Sequence, residues 1–395
     1  MTTAPKAHGL DGSLVEPDWP PLTLDEVRTL LRQFPGIAEP TKILSVSPRP
    51  FSAASVVLTQ KDRVFIKRHH HTVRDKEGLL EEHHFLQHLH AHGAPVPGVY
   101  VNVQGQTAIE IADRAYEVHE VPTGIDLYEA AISWTPFQCA FHAYSSGQAL
   151  ARLHQAAQTY TAPRRQPRPL VASFTIFASE NPASEINNYL AARPALANDQ
   201  VTRTACTEAI KLLAPFHAEL LPFLPSLPSL WTHNDLHASN LLWNSTDPNA
   251  QATSIIDFGL ADRTNAMHDI AHAIERNIVE WLALVENPAD YEAVPIHFDH
   301  LHAFLEGYES IRPLYREEAA ALAPMAALCH AEFALTEADY FLTALGSPEK
   351  ARVASVDYLV GHARWYRSPR GQTLIKALRI WAAAHHRRPL GAHPA

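Results

Sequence analysis

The chain has 395 residues, enough for one large two-lobed unit or for two to three domains. Hydrophobic residues make up 46%, which supports a real core, and 32 basic against 42 acidic side chains (net −10) exclude a general nucleic-acid binder. Three widely spaced cysteines, Cys139, Cys206 and Cys329, exclude a disulfide framework and a Cys-rich zinc site, and favour a reducing cytoplasm.

Residues 1–22 hold prolines and glycines without periodicity and are expected to form a flexible tail, with no secretory-leader pattern. TLDEVRTLLRQF from Thr23 predicts a short helix with Thr23 as N-cap. KILSVSP, SVVLTQ and RVFIKR then read as three antiparallel strands. Residues 76–92 carry Leu79, Leu86 and Leu89 at helical spacing and stop at Gly93. VYVNVQG, QTAIEIA and AYEVHEV predict further strands up to Pro122. Beyond it come Ala/Leu-rich helical stretches at 145–159, 203–221, 267–286, 300–311, 316–345 and 372–385, interrupted by LLW and SIIDF. No run of 18 apolar residues suggests a membrane span. The prolines cluster in TAPRRQPRPL and LPFLPSLPSL and read as loop punctuation. The expectation is an α+β chain of segregated elements: a β-rich lobe at 23–121, a larger helical lobe at 122–395, and a ligand cleft between them.

The segment WTHNDLHASNLLW (231–243) contains His233-x-Asp235-x-x-x-x-Asn240, and Asp257-Phe-Gly follows 17 residues after Asn240. Protein kinases use H-R-D-x-x-x-x-N and D-F-G in this order, the first Asp accepting the hydroxyl proton and the Asn and second Asp holding Mg²⁺. The transferred group carries spread negative charge, so oxygen donors must hold the neutralising metal and a carboxylate must sit beside the attacking hydroxyl. The intervening stretch reads as a hairpin turning at Asp247-Pro248-Asn249, which would return Asp257 beside Asn240. Upstream, Lys67 ends a β-branched run and Glu82 lies on the next helix, so a Lys67–Glu82 pair is expected to hold the ATP phosphates.

HNDLHASNLLW with IIDFG resembles the aminoglycoside phosphotransferase and choline kinase superfamily, whose loop usually reads H-G-D-x-H-x-x-N. EEHHFLQHLHAHGAPVP, SSGQALARLHQA and MHDIAHA are similar to further segments of that superfamily, so the likeness spans about 45–275. FLEGYESIRPLYREEAAAL is most similar to homoserine-kinase-type members. The resemblance implies a protein-kinase-like two-lobed fold, ATP and Mg²⁺, and a small-molecule hydroxyl acceptor such as an amino alcohol or hydroxy amino acid. It implies Asp235 as catalytic base, Asn240 and Asp257 as metal ligands, and Asp269 as a brace for the loop. Lys67, Glu82, Ser52, Ser55, Glu120 and Val121 are assigned to the nucleotide. Asn234 stands where the superfamily has glycine, and the loop SPRPFSAAS lacks the glycines that usually cover phosphates, leaving Ser52, Ser55 and backbone N–H groups for that task.

Three rival readings are a bacterial protein Ser/Thr kinase, a nucleotide-binding pseudokinase and a histidine-dependent metal protein; a sugar or aminoglycoside is the alternative acceptor. The 12 residues from Asp257 to Asp269 leave no room for an activation segment. His84, His88 and His92 share one helical face near His69, His70 and His71, but no acid is set among them as in a zinc motif. Between Ala271 and Ser310 eight acids accompany one base, Arg276, which would suit a cationic acceptor, with Trp281 and Tyr291 as cation–π partners.

Overall fold

The computed structural model describes residues 17–47, 50–287 and 290–384, together with a short strand pair, Ala7–His8 and Leu14–Val15. Most of the expected tail therefore lies outside the described residues. Residues 17–22, also expected to be loose, are held. Asp18 pairs with Lys350 at 2.7 Å, and Trp19 stacks on His70 while its Nε1 donates to Tyr340.

Helix α1 (Leu24–Leu31) starts in a capping box of Thr23 and Glu26. A five-stranded antiparallel sheet follows: β1 (Pro40–Val46), β2 (Ala53–Thr59), β3 (Arg63–His70), β4 (Ala108–Ile111) and β5 (Arg114–Glu120), ordered β1-β2-β3-β5-β4. Successive residues on a strand face opposite sides. One side packs Val57, Val64, Ile66 and Val118 against Val27, Leu30 and Leu31 of α1. The other side faces α2 (Lys76–Ala91). VYVNVQG is not a strand: Asn102 Oδ1 accepts from the N–H groups of Gln104 and Gln106, which curls the chain into a turn.

The larger lobe begins with α3 (Ala140–Ala157) and α4 (Gln200–Leu220). Strands β6 (Ser229–Thr232) and β9 (Asp262–Asn265) pair with each other, and β7 (Leu241–Trp243) and β8 (Ala252–Ile255) form the expected hairpin. Helix α5 (Ala266–Ile278) stops short of the predicted 286, because Val279 turns extended and bridges Ile296. Helix α6 (Phe298–Glu309) crosses α3 at backbone contact: a Cβ on Gly147 would collide with the Phe304 carbonyl, and one on Gly307 with that of Tyr144. The predicted helix 316–345 is two helices, α7 (Arg316–Leu328) and α8 (His330–Thr343), joined at Cys329. Arg316–Thr343 is long and apolar enough to cross a membrane by length and composition, but its apolar part is almost wholly buried by its own lobe.

Candidate active site

The loop between β6 and β7 carries Asp235, and its shape is dictated by buried hydrogen bonds. Asn234 has φ +61°, the left-handed region that asparagine tolerates better than most residues. Its side chain also does what a glycine could not, since Nδ2 donates to the Ala172 carbonyl at 2.8 Å and Oδ1 accepts from Thr232. Asp269, in the first turn of α5, accepts the backbone N–H groups of His233 and Asn234, both at 2.8 Å. His154 of α3 donates from Nε2 to Asp269 at 3.0 Å and is itself held through Nδ1 by Tyr308 at 2.7 Å. His233 Nε2 lies 3.0 Å from the Ile256 carbonyl, which can only accept, so Nδ1 is the atom that receives the Asp235 N–H.

Asn240 sits beside Asp235, its Nδ2 donating to the Asp235 carbonyl at 2.9 Å. Asn240 Oδ1 makes no hydrogen bond among the described residues and is the atom that could serve a metal. The β7–β8 hairpin brings Ile256 N–H to the Asn240 carbonyl at 3.0 Å, so Asp257 arrives next to Asn240. Asp257 has φ +63° and an exposed side chain, while Phe258 is buried against Phe85 of α2. The carboxylate of Asp257 and the amide oxygen of Asn240 are hard oxygen donors of the kind Mg²⁺ prefers, and thus fit that ion.

Lys67 Nζ lies 2.8 Å from Asp257 Oδ1. Burial alone would lower the lysine's pKa, but Asp257, with Glu117 and Glu82 further off, raises it above the ordinary value. Desolvation would raise the Asp257 carboxyl, and Lys67 more than reverses this, holding it well below the usual range. The expected Lys67–Glu82 pair is replaced by this bridge. Glu82 is buried with Oε2 3.8 Å from Arg165 Nη2, and Glu81 pairs with Arg168 at 2.9 Å. The proline-rich stretch taken as loop punctuation thus supplies two arginines that tie α2 to the larger lobe. Arg165 also donates to the Gly259 carbonyl at 2.9 Å, as Arg74 does at 2.6 Å.

The glycine-free loop corrects a second expectation. Ser55 pairs with Ile66, and Lys67 with Ala54, so Ser55 points to the α1 side of the sheet and away from Lys67. Its Oγ is buried without a hydrogen-bond partner among the described residues. Ser52 precedes β2 and is buried. Glu120 ends β5; its backbone N–H donates to the Gly98 carbonyl at 3.0 Å and its side-chain Oε2 accepts the Gly98 N–H at 3.3 Å, with half-buried Val121 following at the passage between lobes.

Sequence reasoning missed the closest charged neighbour of Asp235. Arg276 of α5 places Nη2 3.2 Å from Asp235 Oδ1, with its guanidinium over Trp134 at 4.0 Å and Phe333 at 4.9 Å. Burial would raise the Asp235 carboxyl, but Arg276, with His237 behind it, brings it below the ordinary value. The signal was visible, as Arg276 was the single base among eight acids. Those acids do not form one surface. Glu275 is buried on His362 at 2.9 Å, Glu280 pairs with His297, Glu292 accepts from Arg370 N–H and Asp299 is exposed. Trp281 is a buried ring stacked on His362 at 3.5 Å, and among the described residues no cation lies over its ring or that of Tyr291. Behind Arg276 lies a further acid, Glu337 of α8, buried and without a hydrogen bond or ion pair among the described residues. Burial pushes Glu275 up to about 7 and Glu337 up to about 8.

A family model described as a phosphotransferase enzyme family matches residues 48–314. A homoserine kinase of Neisseria meningitidis serogroup B (strain ATCC BAA-335 / MC58) is 37% identical over 94 residues, which are 24% of this chain and 26% of that enzyme. The chain thus matches about a quarter of that relative's length. Among solved structures, a microcompartment-associated aminopropanol kinase superposes with TM-score 0.57 at 18% identity, covering 88% of this chain and 99% of that one. An amicoumacin kinase solved with AMP-PNP and Ca²⁺ gives 0.54 at 16% identity, covering 88% and 94%. An aminoglycoside phosphotransferase from Alicyclobacillus acidocaldarius subsp. acidocaldarius DSM 446 gives 0.50 at 15%, covering 93% and 98%. These three share the fold.

Proposed function

This chain belongs to the phosphotransferase enzyme family, and we propose that it moves the γ-phosphoryl group of ATP, with Mg²⁺, onto a hydroxyl of a small molecule. The observation that carries the reading is the meeting of Asp235, Asn240, Asp257 and Lys67 at the junction of the lobes, with Lys67 2.8 Å from Asp257. In this reading Asp235 accepts the proton of the attacking hydroxyl, kept ionised for the task by Arg276. Asn240 and Asp257 hold the metal through oxygen, and Lys67 binds phosphate oxygens. Bound Mg²⁺ supplies neutralisation of the β- and γ-phosphate charge. Glu82 acts at one remove, by fixing α2 through Arg165. Glu120 and Val121 border the nucleotide where the chain passes between lobes. The cytoplasm, where ATP is abundant, is the fitting compartment.

The acceptor is an amino alcohol or hydroxy amino acid, homoserine-like. Two observations support this: the short likeness to a homoserine kinase, and the charges behind the base. Asp235 pairs with Arg276, and Glu275 and Glu337 lie near the same guanidinium, both raised chiefly by burial, so carboxyls outnumber cations around the base. In this reading the ammonium group of the acceptor would be drawn to this excess of carboxyls.

A coupled ADP-release screen over homoserine, choline, ethanolamine, sugars and aminoglycosides tests both levels. The expected result is Mg²⁺-dependent release with amine-bearing alcohols, falling about tenfold or more in kcat/KM for the deaminated analogue of the best acceptor, which corresponds to about 1.4 kcal/mol. Equal turnover of uncharged sugars would overturn the acceptor reading and leave the kinase standing. ATP binding with no acceptor turned over, and autophosphorylation instead, would favour the protein-kinase alternative.

A further inference from the structure

Between a sheet and the helix packed on it, side chains are ordinarily apolar; here that layer buries three imidazoles on one carboxylate. Lys67 and His69 alternate on β3, and Glu117 and His119 on β5, with Lys67 paired to Glu117, so all four face α2. From α2, His83 comes down to meet them. His83 Nε2 and His119 Nε2 each lie 2.8 Å from the same oxygen, Glu117 Oε2, and His69 Nε2 lies 2.9 Å from Oε1. The ligating atoms of His83, Glu117 and His119 are all within 4.8 Å of one another, and the exposure of the three residues is 0%, 1% and 6%. The far nitrogen of the His83 ring, Nδ1, is fixed by Thr107 Oγ1 at 2.9 Å.

We propose that His83, Glu117 and His119 bind one divalent ion of the zinc type, with His69 as the outer partner that orients the carboxylate. Two imidazole nitrogens and a carboxylate oxygen are a zinc donor set, whereas Mg²⁺ takes oxygen donors and belongs to Asn240 and Asp257. Metal-bound histidines commonly carry a hydrogen bond on their second nitrogen, and Thr107 stands ready to give His83 one. Without an ion each Nε2 must carry a hydrogen, because a carboxylate only accepts. Coordination at Nε2 displaces the hydrogen from that atom, and for His83 it can be carried on Nδ1, facing Thr107 Oγ1. The ion would cross-link β5 to α2 one strand away from Lys67. Two other groups of this kind, His70–His71–Asp113 and His297–Asp299–His300, each include exposed members, whereas all three ligands of this site are buried, and His84, His88 and His92 lack an acid among them.

The test uses the full chain with any affinity tag removed. Equilibrium dialysis against Zn²⁺ in the presence of a weak competing chelator should retain one ion per chain. Co²⁺ in its place should give the strong visible bands of a low-coordinate site, bleached by Zn²⁺. His119→Gln and Glu117→Gln should each lose that ion, whereas His88→Ala/His92→Ala and His70→Ala/His71→Ala should keep it. The unfolding temperature of the wild type should rise with Zn²⁺, and this needs no variant to fold. Loss of the ion on substituting His88 and His92 or His70 and His71, its retention in folded His119→Gln, or a wild type that holds no ion against the chelator would each overturn the assignment.

Discussion

The guanidinium of Arg276 lies over the rings of Trp134 at 4.0 Å and Phe333 at 4.9 Å with Nη2 3.2 Å from Asp235 Oδ1, so the proposed base is paired with a cation. This pairing sets how the enzyme should respond to pH. Burial raises the Asp235 carboxyl and Arg276 lowers it, with the lowering dominant. A base works only when deprotonated, so Arg276→Met should move the acidic limb of the kcat profile to higher pH. The expected displacement is about one pH unit or more, the usual size of a close charge effect. Arg276→Lys should move the limb less. An unmoved limb would mean that Asp235 is not the group that titrates.

Asp235→Asn should leave the loop intact, because the bonds that shape it come from backbone N–H groups, Asn234 and Asp269. The expected loss in kcat is at least about 10²-fold, the low end for general acid–base catalysis, with nucleotide affinity nearly unchanged. Stopped-flow or steady-state turnover alongside calorimetric ATP binding measures both. Near-normal turnover removes Asp235 from its role.

Asp257 is the partner of Lys67 and, in the proposed reading, also a metal donor. Asp257→Ala should abolish the Mg²⁺ dependence of ATP binding seen by calorimetry, and Asn240→Ala should weaken it less, because a neutral amide holds a dication less firmly. Identical ATP titrations for wild type and Asp257→Ala, with and without Mg²⁺, count against the metal assignment.

Glu337 gives a stability prediction. Its folded value of about 8 lies above the ordinary 4.5, so the folded chain binds the proton more tightly than the unfolded one. Wild type should lose stability relative to Glu337→Gln as pH rises from about 4.5 through 8, and the difference should level off above that. Its size should be on the order of 5 kcal/mol, because the shift from 4.5 to about 8 is about 3.5 tenfold steps, each worth about 1.4 kcal/mol. Urea midpoints of both proteins at pH 5 and pH 9 decide it; parallel behaviour would show a Glu337 that is already ionised and partnered.

The parts of the site that were legible in the sequence are those whose chemistry is bound to local spacing. His233, Asp235 and Asn240 lie on one short loop, and the β7–β8 hairpin that delivers Asp257 was visible from its turn residues. What was not legible depends on residues far apart in the chain. Arg276 reaches Asp235 across 41 positions, and Arg165 reaches α2 from a stretch whose prolines announced only a loop. Ser55 failed for a different reason. The strand begins two residues earlier than expected, at Ala53, so Ser55 is a strand residue whose phase, opposite to that of Ala54 and Lys67, sends it to the α1 face. The histidines show the same limit: helical periodicity groups His84, His88 and His92, whereas the buried cluster joins His83 to strand residues that periodicity on one element cannot see.

The crossing of α3 and α6 has a reach beyond packing. Gly147 and Gly307 let the two backbones touch, and Tyr308, the next residue on α6, holds His154 of α3, which holds Asp269, which holds the N–H groups of His233 and Asn234. The aim of Asp235 is thus inherited, link by link, from the spacing of the two helices α3 and α6. A methyl group added at either glycine would act like a shim under a machine tool. Such a chain could still bind ATP between its lobes, and its fault would appear as a slow chemical step rather than as a weak complex. Variants found in this way would map to the helix crossing and leave no mark in the cleft.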